Sequence, residues 1–298
     1  MYENEILELK QAKEAVILAH FYQSPEVQDI ADFVGDSLEL SRTAQTTPAK
    51  IIVFCGVNFM AETAKVLSPE KKVLLPVKNA GCPMAMMIDK DKLIKYKEEH
   101  PDRKVICYVN SHAEIKALSD VCVTSSNAEK IIRHYQDHKL LYIPDLNLGN
   151  YLRDRYHLDI ELWPGHCIVH NRLTDADVFQ MKSKYPKAKV LIHPEAPLSV
   201  LKLADYVGST RGIIDYANKS SAKEFIIGTE EGILHPLRKQ NPDKSFYVLD
   251  PNMVCRDMKK TTLKEVYEAL LYEQHEVTLE KEIILKAKRA LDLMLELS

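Results

Sequence analysis

Four residue types return along this chain at nearly fixed separations. His20 closes the run "AVILAH"; Asp32 follows after 12 residues, Ser37 after five more and Cys82 after another 45. His193 closes "KVLIH", and Asp205, Thr210 and Cys255 follow at the same steps of 12, 5 and 45. Between them, Tyr108, Asp120, Ser125 and Cys167 keep the 12 and the 5 and shorten the last step to 42. Cys82 to Tyr108 and Cys167 to His193 are both 26 residues, and Pro101 and Pro186 each lie seven before a strand-end residue. Any α/β chain shows some regular spacing. Agreement in strand end, acid, hydroxyl and thiol together marks an internal repeat of 85 to 88 residues.

Nine apolar, strand-sized runs carry the repeat: "AVILAH", "KIIVFCGV", "KKVLLP", "KVICYVN", "KLLYIP", "DIELWP", "KVLIHP", "EFIIG" and "SFYVLD". Amphipathic stretches such as "DKDKLIKYKEEH" and "TDADVFQMKSKY" separate them, which argues for α/β units with parallel sheets. The expected fold is three homologous three-layer α/β domains, with small parallel sheets, around a pseudo-threefold axis. The boundaries fall at residues 1–86, 87–171 and 172–258, and residues 259–298 form C-terminal helices. Parallel α/β units gather functional groups at the carboxyl ends of their strands, so three facing edges enclose one central cavity.

Composition removes several function classes. The net charge is −3 and Lys and Arg are scattered, so no basic groove for nucleic acid is expected. No apolar run approaches the roughly 20 residues that span a bilayer. The opening "MYENEILELKQAKEA" is a charged amphipathic helix rather than a secretory signal, and a cytoplasmic protein is expected. Its six cysteines are then reduced, which directs attention to metal binding, catalysis or packing. Glycine is scarce, and neither GxGxxG nor GxxxxGK[ST] occurs.

Cys82, Cys167 and Cys255 occur once per repeat, each in the loop after a third strand. Three soft thiolates converging on one point suit an iron–sulfur cluster or zinc, and three on a [4Fe–4S] cluster leave one iron open. Cys55, Cys107 and Cys122 lack repeat partners and are assigned to packing. Ser37, Ser125 and Thr210 stand where loops enter helices, positions that cap helices, bind anions, or both. The strand-end pairs His20 with Tyr22, Tyr108 with Asn110 and His193 with Glu195 each project to one side of a strand and offer proton donors and acceptors. His134, His138 and His275 are read as solvated on polar helical faces. His166 and His170 flank Cys167, as neighbours of a metal centre or as a fourth zinc ligand.

The motifs "AHFYQ", "DIADFVGDS", "GVNFMAE", "GCPMA", "YVNS", "TSSNA", "PDLNLG", "GHCIVH", "HPEAP", "ADYVGST", "IGTEEGILH" and "NMVC" resemble, in order, those of the quinolinate synthase family. The resemblance runs from about residue 15 to residue 260. It implies condensation of iminosuccinate with dihydroxyacetone phosphate to quinolinate, the NAD precursor, with loss of phosphate and water. It implies one [4Fe–4S] cluster per chain on Cys82, Cys167 and Cys255. It also implies a substrate site lined by His20, Ser37, Tyr108, Asn110, Ser125, His193, Glu195 and Thr210, with Tyr22 a further catalytic group beside Glu195, Tyr108, His20 and His193. Two departures stand out: Ala196 follows "HPE" where many members carry Cys, and Cys255 has no neighbouring cysteines. Glu195 is the expected general base, on the argument that a dry cavity raises a carboxylate's proton affinity. The implied partners are small molecules, with a functional link to the aspartate oxidase or dehydrogenase that supplies iminosuccinate, and the chain is a monomer or homodimer. Two other readings stand beside this one: a three-Cys zinc hydrolase using His166 or His170, and a non-enzymatic iron–sulfur sensor.

Overall fold

The computed structural model describes residues 2–298. One run of elements, helix and strand in strict alternation, occurs three times. The first is α1 (Glu3–Ala12), β1 (Ala15–His20), α2 (Pro25–Ile30), β2 (Phe33–Gly35), α3 (Ser37–Thr46), β3 (Ile51–Cys55), α4 (Asn58–Leu67) and β4 (Lys72–Leu74). The second is α5 (Lys90–Glu99), β5 (Arg103–Tyr108), α6 (Ala113–Lys116), β6 (Val121–Val123), α7 (Ala128–His134), β7 (Lys139–Ile143), α8 (Leu146–Tyr156) and β8 (Ile160–Leu162). The third is α9 (Asp175–Lys184), β9 (Lys189–Ile192), α10 (Leu198–Leu201), β10 (Tyr206–Val207), α11 (Thr210–Lys219), β11 (Glu224–Gly228), α12 (Leu234–Gln240) and β12 (Ser245–Val248). Helices α13 (Leu263–Tyr272) and α14 (Lys281–Glu296) follow.

The sheets are wholly parallel, and the three strand orders are the same: β2-β1-β3-β4, β6-β5-β7-β8 and β10-β9-β11-β12. Each sheet thus has four strands where the sequence suggested three; β2, β6 and β10 are the additions. They pair with the strand that ends in His20, Tyr108 or Ile192, and each begins just after the repeated aspartate. That aspartate locks the turn. Asp32, Asp120 and Asp205 accept the buried-strand N–H of Ile17, Val105 and Val190, all at 2.8 Å. Each also meets a lysine: Lys10, Lys104 and Lys189.

Period-two burial makes each outer sheet two-faced. Val16, Leu18, Ile52 and Phe54 point into the large core, whereas Ile17, Ala19, Val53 and Cys55 point into a second cluster. In the third sheet, Val190, Ile192 and Ile226 face the large core, and Leu191, Phe225 and Ile227 face a third cluster. Truncating a fully buried residue such as Leu18 or Ile52 to Ala would cost about 2–5 kcal/mol. Helix α13 packs on α1 and β3, while α14 lies against α4, α6 and β6 and so ties the first sheet's helices to the second sheet. A capping box, Thr262 with Glu265, starts α13. Among the described residues no helix is long and apolar enough to cross a membrane. His275 is exposed in a non-helical segment after α13 rather than on a helix face, and His138 sits in the turn before β7.

Candidate active site

The carboxyl ends of β1, β5 and β9 meet in the middle of the molecule. Two of them adopt one local arrangement. His20 Nδ1 accepts the N–H of Tyr22 at 3.1 Å, and His193 Nδ1 accepts the N–H of Glu195 at 3.3 Å. A ring nitrogen that accepts leaves the ring proton on Nε2. Burial pushes both imidazoles down to about 3, against the opposing pull of Glu195, so both rings are neutral. The second unit has Tyr108 and Asn110 at the equivalent places.

These groups line a small chamber of ≈ 70 Å³. Every ligand, substrate and catalytic residue that the family resemblance implies is on its wall: His20, Tyr22, Ser37, Cys82, Tyr108, Asn110, Ser125, Cys167, His193, Glu195, Thr210 and Cys255. At its centre Glu195 is only 3% exposed. Tyr108 donates its hydroxyl to Glu195 at 2.6 Å, and His170 Nδ1 lies 2.8 Å from the other carboxylate oxygen. Burial alone would raise this carboxyl. Hydrogen bonds from His170 and Tyr108 to its two oxygens oppose burial and hold Glu195 below the ordinary range. The expectation of a raised proton affinity is therefore corrected: Glu195 is an ionised, pre-organised acceptor. The phenols of Tyr22 and Tyr108 move the other way, raised by burial and by the Glu195 charge, and stay protonated.

His170 is the residue that spacing did not single out for catalysis. It is 1% exposed and stacks on His193 at a centroid distance of 4.8 Å. Its Nε2 is 2.9 Å from Thr229 Oγ1, which is 2.8 Å from the Tyr22 hydroxyl, itself 2.9 Å from Thr210 Oγ1. A continuous hydrogen-bonded line thus joins Glu195, His170, Thr229 and Tyr22. Glu230 is another wall residue outside the repeat. It is fully buried, accepts the N–H groups of Gly232 at 2.7 Å and Cys255 at 3.1 Å, and pairs with Lys259 at 3.0 Å, so it fixes the third cysteine loop. Gly232 is required there, because a Cβ would lie 2.6 Å from the Phe21 carbonyl oxygen. The signal for Thr229 and Glu230 was the string "GTEEG", whose meaning depends on contacts from other units.

The hydroxyls differ from the capping role open to them. The caps are Asp36 for α3 and Ser209 for α11, while Asn127 precedes α7 and accepts the Thr124 N–H at 2.6 Å. Ser37, Ser125 and Thr210 are left to face the chamber. Next to them the three units touch directly: Ser126 bonds the Asp36 carboxylate and lies 2.8 Å from Ser209 Oγ.

Cys82, Cys167 and Cys255 are half-buried and unpaired, at the floor of the chamber. Burial pushes their thiols up, Cys82 to about 12 and Cys255 to about 11 and Cys167 further, with Cys255 adding to Cys82 and Cys82 to Cys167. Among the described residues, the group of three donor atoms close enough for one ion is Cys167, His170 and Glu195, within 4.8 Å of one another. Cys82 and Cys255 stand outside it, a spread that suits a polynuclear centre better than one tetrahedral ion. His166 does not line the chamber; its N–H meets Met87 Sδ at 3.4 Å. Cys55, Cys107 and Cys122 are fully buried in β3, β5 and β6, where Cys107 and Cys122 face each other across the strand pair.

A family model described as quinolinate synthetase A protein matches residues 4–296. A curated quinolinate synthase of Caldicellulosiruptor bescii is 53% identical over 296 residues, covering 99% of this chain and 98% of its own. The quinolinate synthases of Alkaliphilus metalliredigens and Clostridium kluyveri are 53% and 51% identical over 295 residues, each covering 99% of this chain and 97% of their own.

Proposed function

The chain belongs to the quinolinate synthase family, whose enzymes serve NAD biosynthesis, and we propose the following division of labour within its chamber. The substrates are iminosuccinate and dihydroxyacetone phosphate. Their union to quinolinate releases one phosphate and two waters, with no net oxidation or reduction. Ser37, Ser125 and Thr210 hold the anionic groups. His20 and His193, neutral and protonated on Nε2, donate to substrate oxygens. Glu195, ionised and already hydrogen-bonded by Tyr108, removes a carbon-bound proton. Tyr22 delivers a proton to a departing hydroxyl and is recharged from Glu195 through His170 and Thr229.

Cys82, Cys167 and Cys255 hold one [4Fe–4S] cluster in this reading. The supporting observation is their chemistry: three soft donors from three units on one chamber floor, too widely set for a single ion. When bound, the cluster supplies a Lewis acid at its iron without a cysteine. Anaerobic purification with iron and sulfide analysis beside a quinolinate assay tests the reading. About four iron and four sulfide per chain are expected, and Cys167→Ser should lose both metal and activity. Zinc without iron, and no quinolinate formed, would hand the site to the hydrolase reading.

A further inference from the structure

The three cysteine loops have a second side. Cys82, Cys167 and Cys255 line not only the small chamber but also an adjoining cavity of ≈ 540 Å³. The chamber side is walled by His20, Tyr108, His193 and Glu195, each no more than 5% exposed, and it has room for about five waters. The second cavity is several-fold larger, and its wall includes Ile168, which is 53% exposed.

The charges on that wall are unequal. Arg172 is paired with Asp250 at 3.0 Å, and Asp257 with Lys260 at 2.6 Å. Arg256, next to Cys255, is exposed and has no ion-pair partner among the described residues. The uncompensated charge at the cavity is therefore positive. A [4Fe–4S]²⁺ core on four thiolates carries two negative charges, and an unpaired cation beside its destination accelerates its approach.

We propose that the larger cavity is a loading port, through which a preformed anionic cluster reaches the three cysteines from a thiol-bearing carrier outside, with Arg256 steering it. This rests on the three-cysteine cluster reading. The exchange balances without an oxidant. Three carrier thiolates are replaced in turn by the sulfurs of Cys82, Cys167 and Cys255, whose three thiol protons go to the departing thiolates. The fourth carrier thiolate leaves as an anion, and an oxygen ligand on the chamber side takes its place. The port also separates functions: cargo arrives on one side of the cysteine plane, and substrate is handled on the other.

The test is uptake of a synthetic [4Fe–4S] tetrathiolate dianion by the full apo chain, followed by visible absorption without reference to turnover. Arg256→Glu should slow uptake by about 5- to 10-fold at low ionic strength, with the difference vanishing in high salt and the final iron content unchanged. Arg256→Lys should stay near the unsubstituted rate. Assembly from ferrous ion and sulfide, whose metal is a cation, should not be slowed by Arg256→Glu. The port is overturned if Arg256→Glu takes up the dianion at the unsubstituted rate. It is equally overturned if both arms slow alike, since the residue would then only support the Cys255 loop. An unsubstituted chain that takes up no cluster by either route would instead overturn the three-cysteine reading, and the port with it. Thermal melts of each apo variant establish that folding is unchanged.

Discussion

The two ends of the central strands have fared differently under repetition. At their amino-terminal ends all three units do the same thing: Asp32, Asp120 and Asp205 each accept one strand N–H at 2.8 Å and meet one lysine. At the carboxyl ends no two pairs are the same: His20 with Tyr22, Tyr108 with Asn110, His193 with Glu195. The aspartate solves a problem every unit shares, a buried donor left over where a short strand begins. The chamber has a different problem, one substrate set with distinct donors and acceptors, and three copies of one side chain would serve it badly. Identity marks architecture here, and divergence marks chemistry.

Substitutions at the two ends should therefore separate turnover from stability. Glu195→Gln keeps shape and burial but removes the negative charge, and turnover should fall on the order of 100-fold or more while the melting temperature holds. A loss of activity that merely tracked unfolding would erase the contrast. Tyr22→Phe interrupts the line from Glu195 through His170 and Thr229; a smaller fall, about 10-fold or more, is expected, appearing in kcat rather than KM. An unchanged kcat would remove Tyr22 from proton delivery. At the other end, Asp120→Ala strands the Val105 N–H and should cost about 1–3 kcal/mol of stability, with kinetics per folded molecule unchanged. Reduced kcat in folded Asp120→Ala would blur the division.

The smallest effect lies outside both ends. Glu273 bonds Lys13 at 2.6 Å and also Lys72, and these hydrogen bonds hold its carboxyl down to about 2. The sign follows from a depressed folded value. The contribution is fully present above the ordinary carboxylate range, near pH 4.3, and is lost as pH falls toward 2. Glu273→Gln should lower the melting temperature by roughly one or two degrees at pH 6 and by nothing near pH 2. A gap that widened in acid would refute the assignment.

Much of this was legible because a repeat supplies its own control. The long strands announced themselves as unbroken apolar runs, and the repeated offsets brought distant His, Tyr, Glu and Cys positions to one wall. Strands β2, β6 and β10 escaped because two or three residues carry no period, and Tyr206 and Val207 are only half-buried. The ionisation of Glu195 was misjudged because burial is readable from one segment, whereas its compensation arrives from Tyr108 and His170, 87 and 25 residues away. Thr229 and Glu230 escaped for the same reason. They have no repeat partners, and their roles exist only once the third unit leans on the first.

Each unit brings one cysteine to the shared floor, and no unit brings two. During synthesis this makes the centre a tally of completed construction. A ribosome that has released only the first two units has exposed Cys82 and Cys167, and the third thiol is still 88 residues behind the second. Under the proposed three-cysteine cluster, such a chain offers two soft donors and has no way to bind a three-thiolate cargo fully. On that proposal stalled or clipped chains would hold metal poorly, and the brown colour of a preparation would report the fraction of molecules in which all three units have closed on one another.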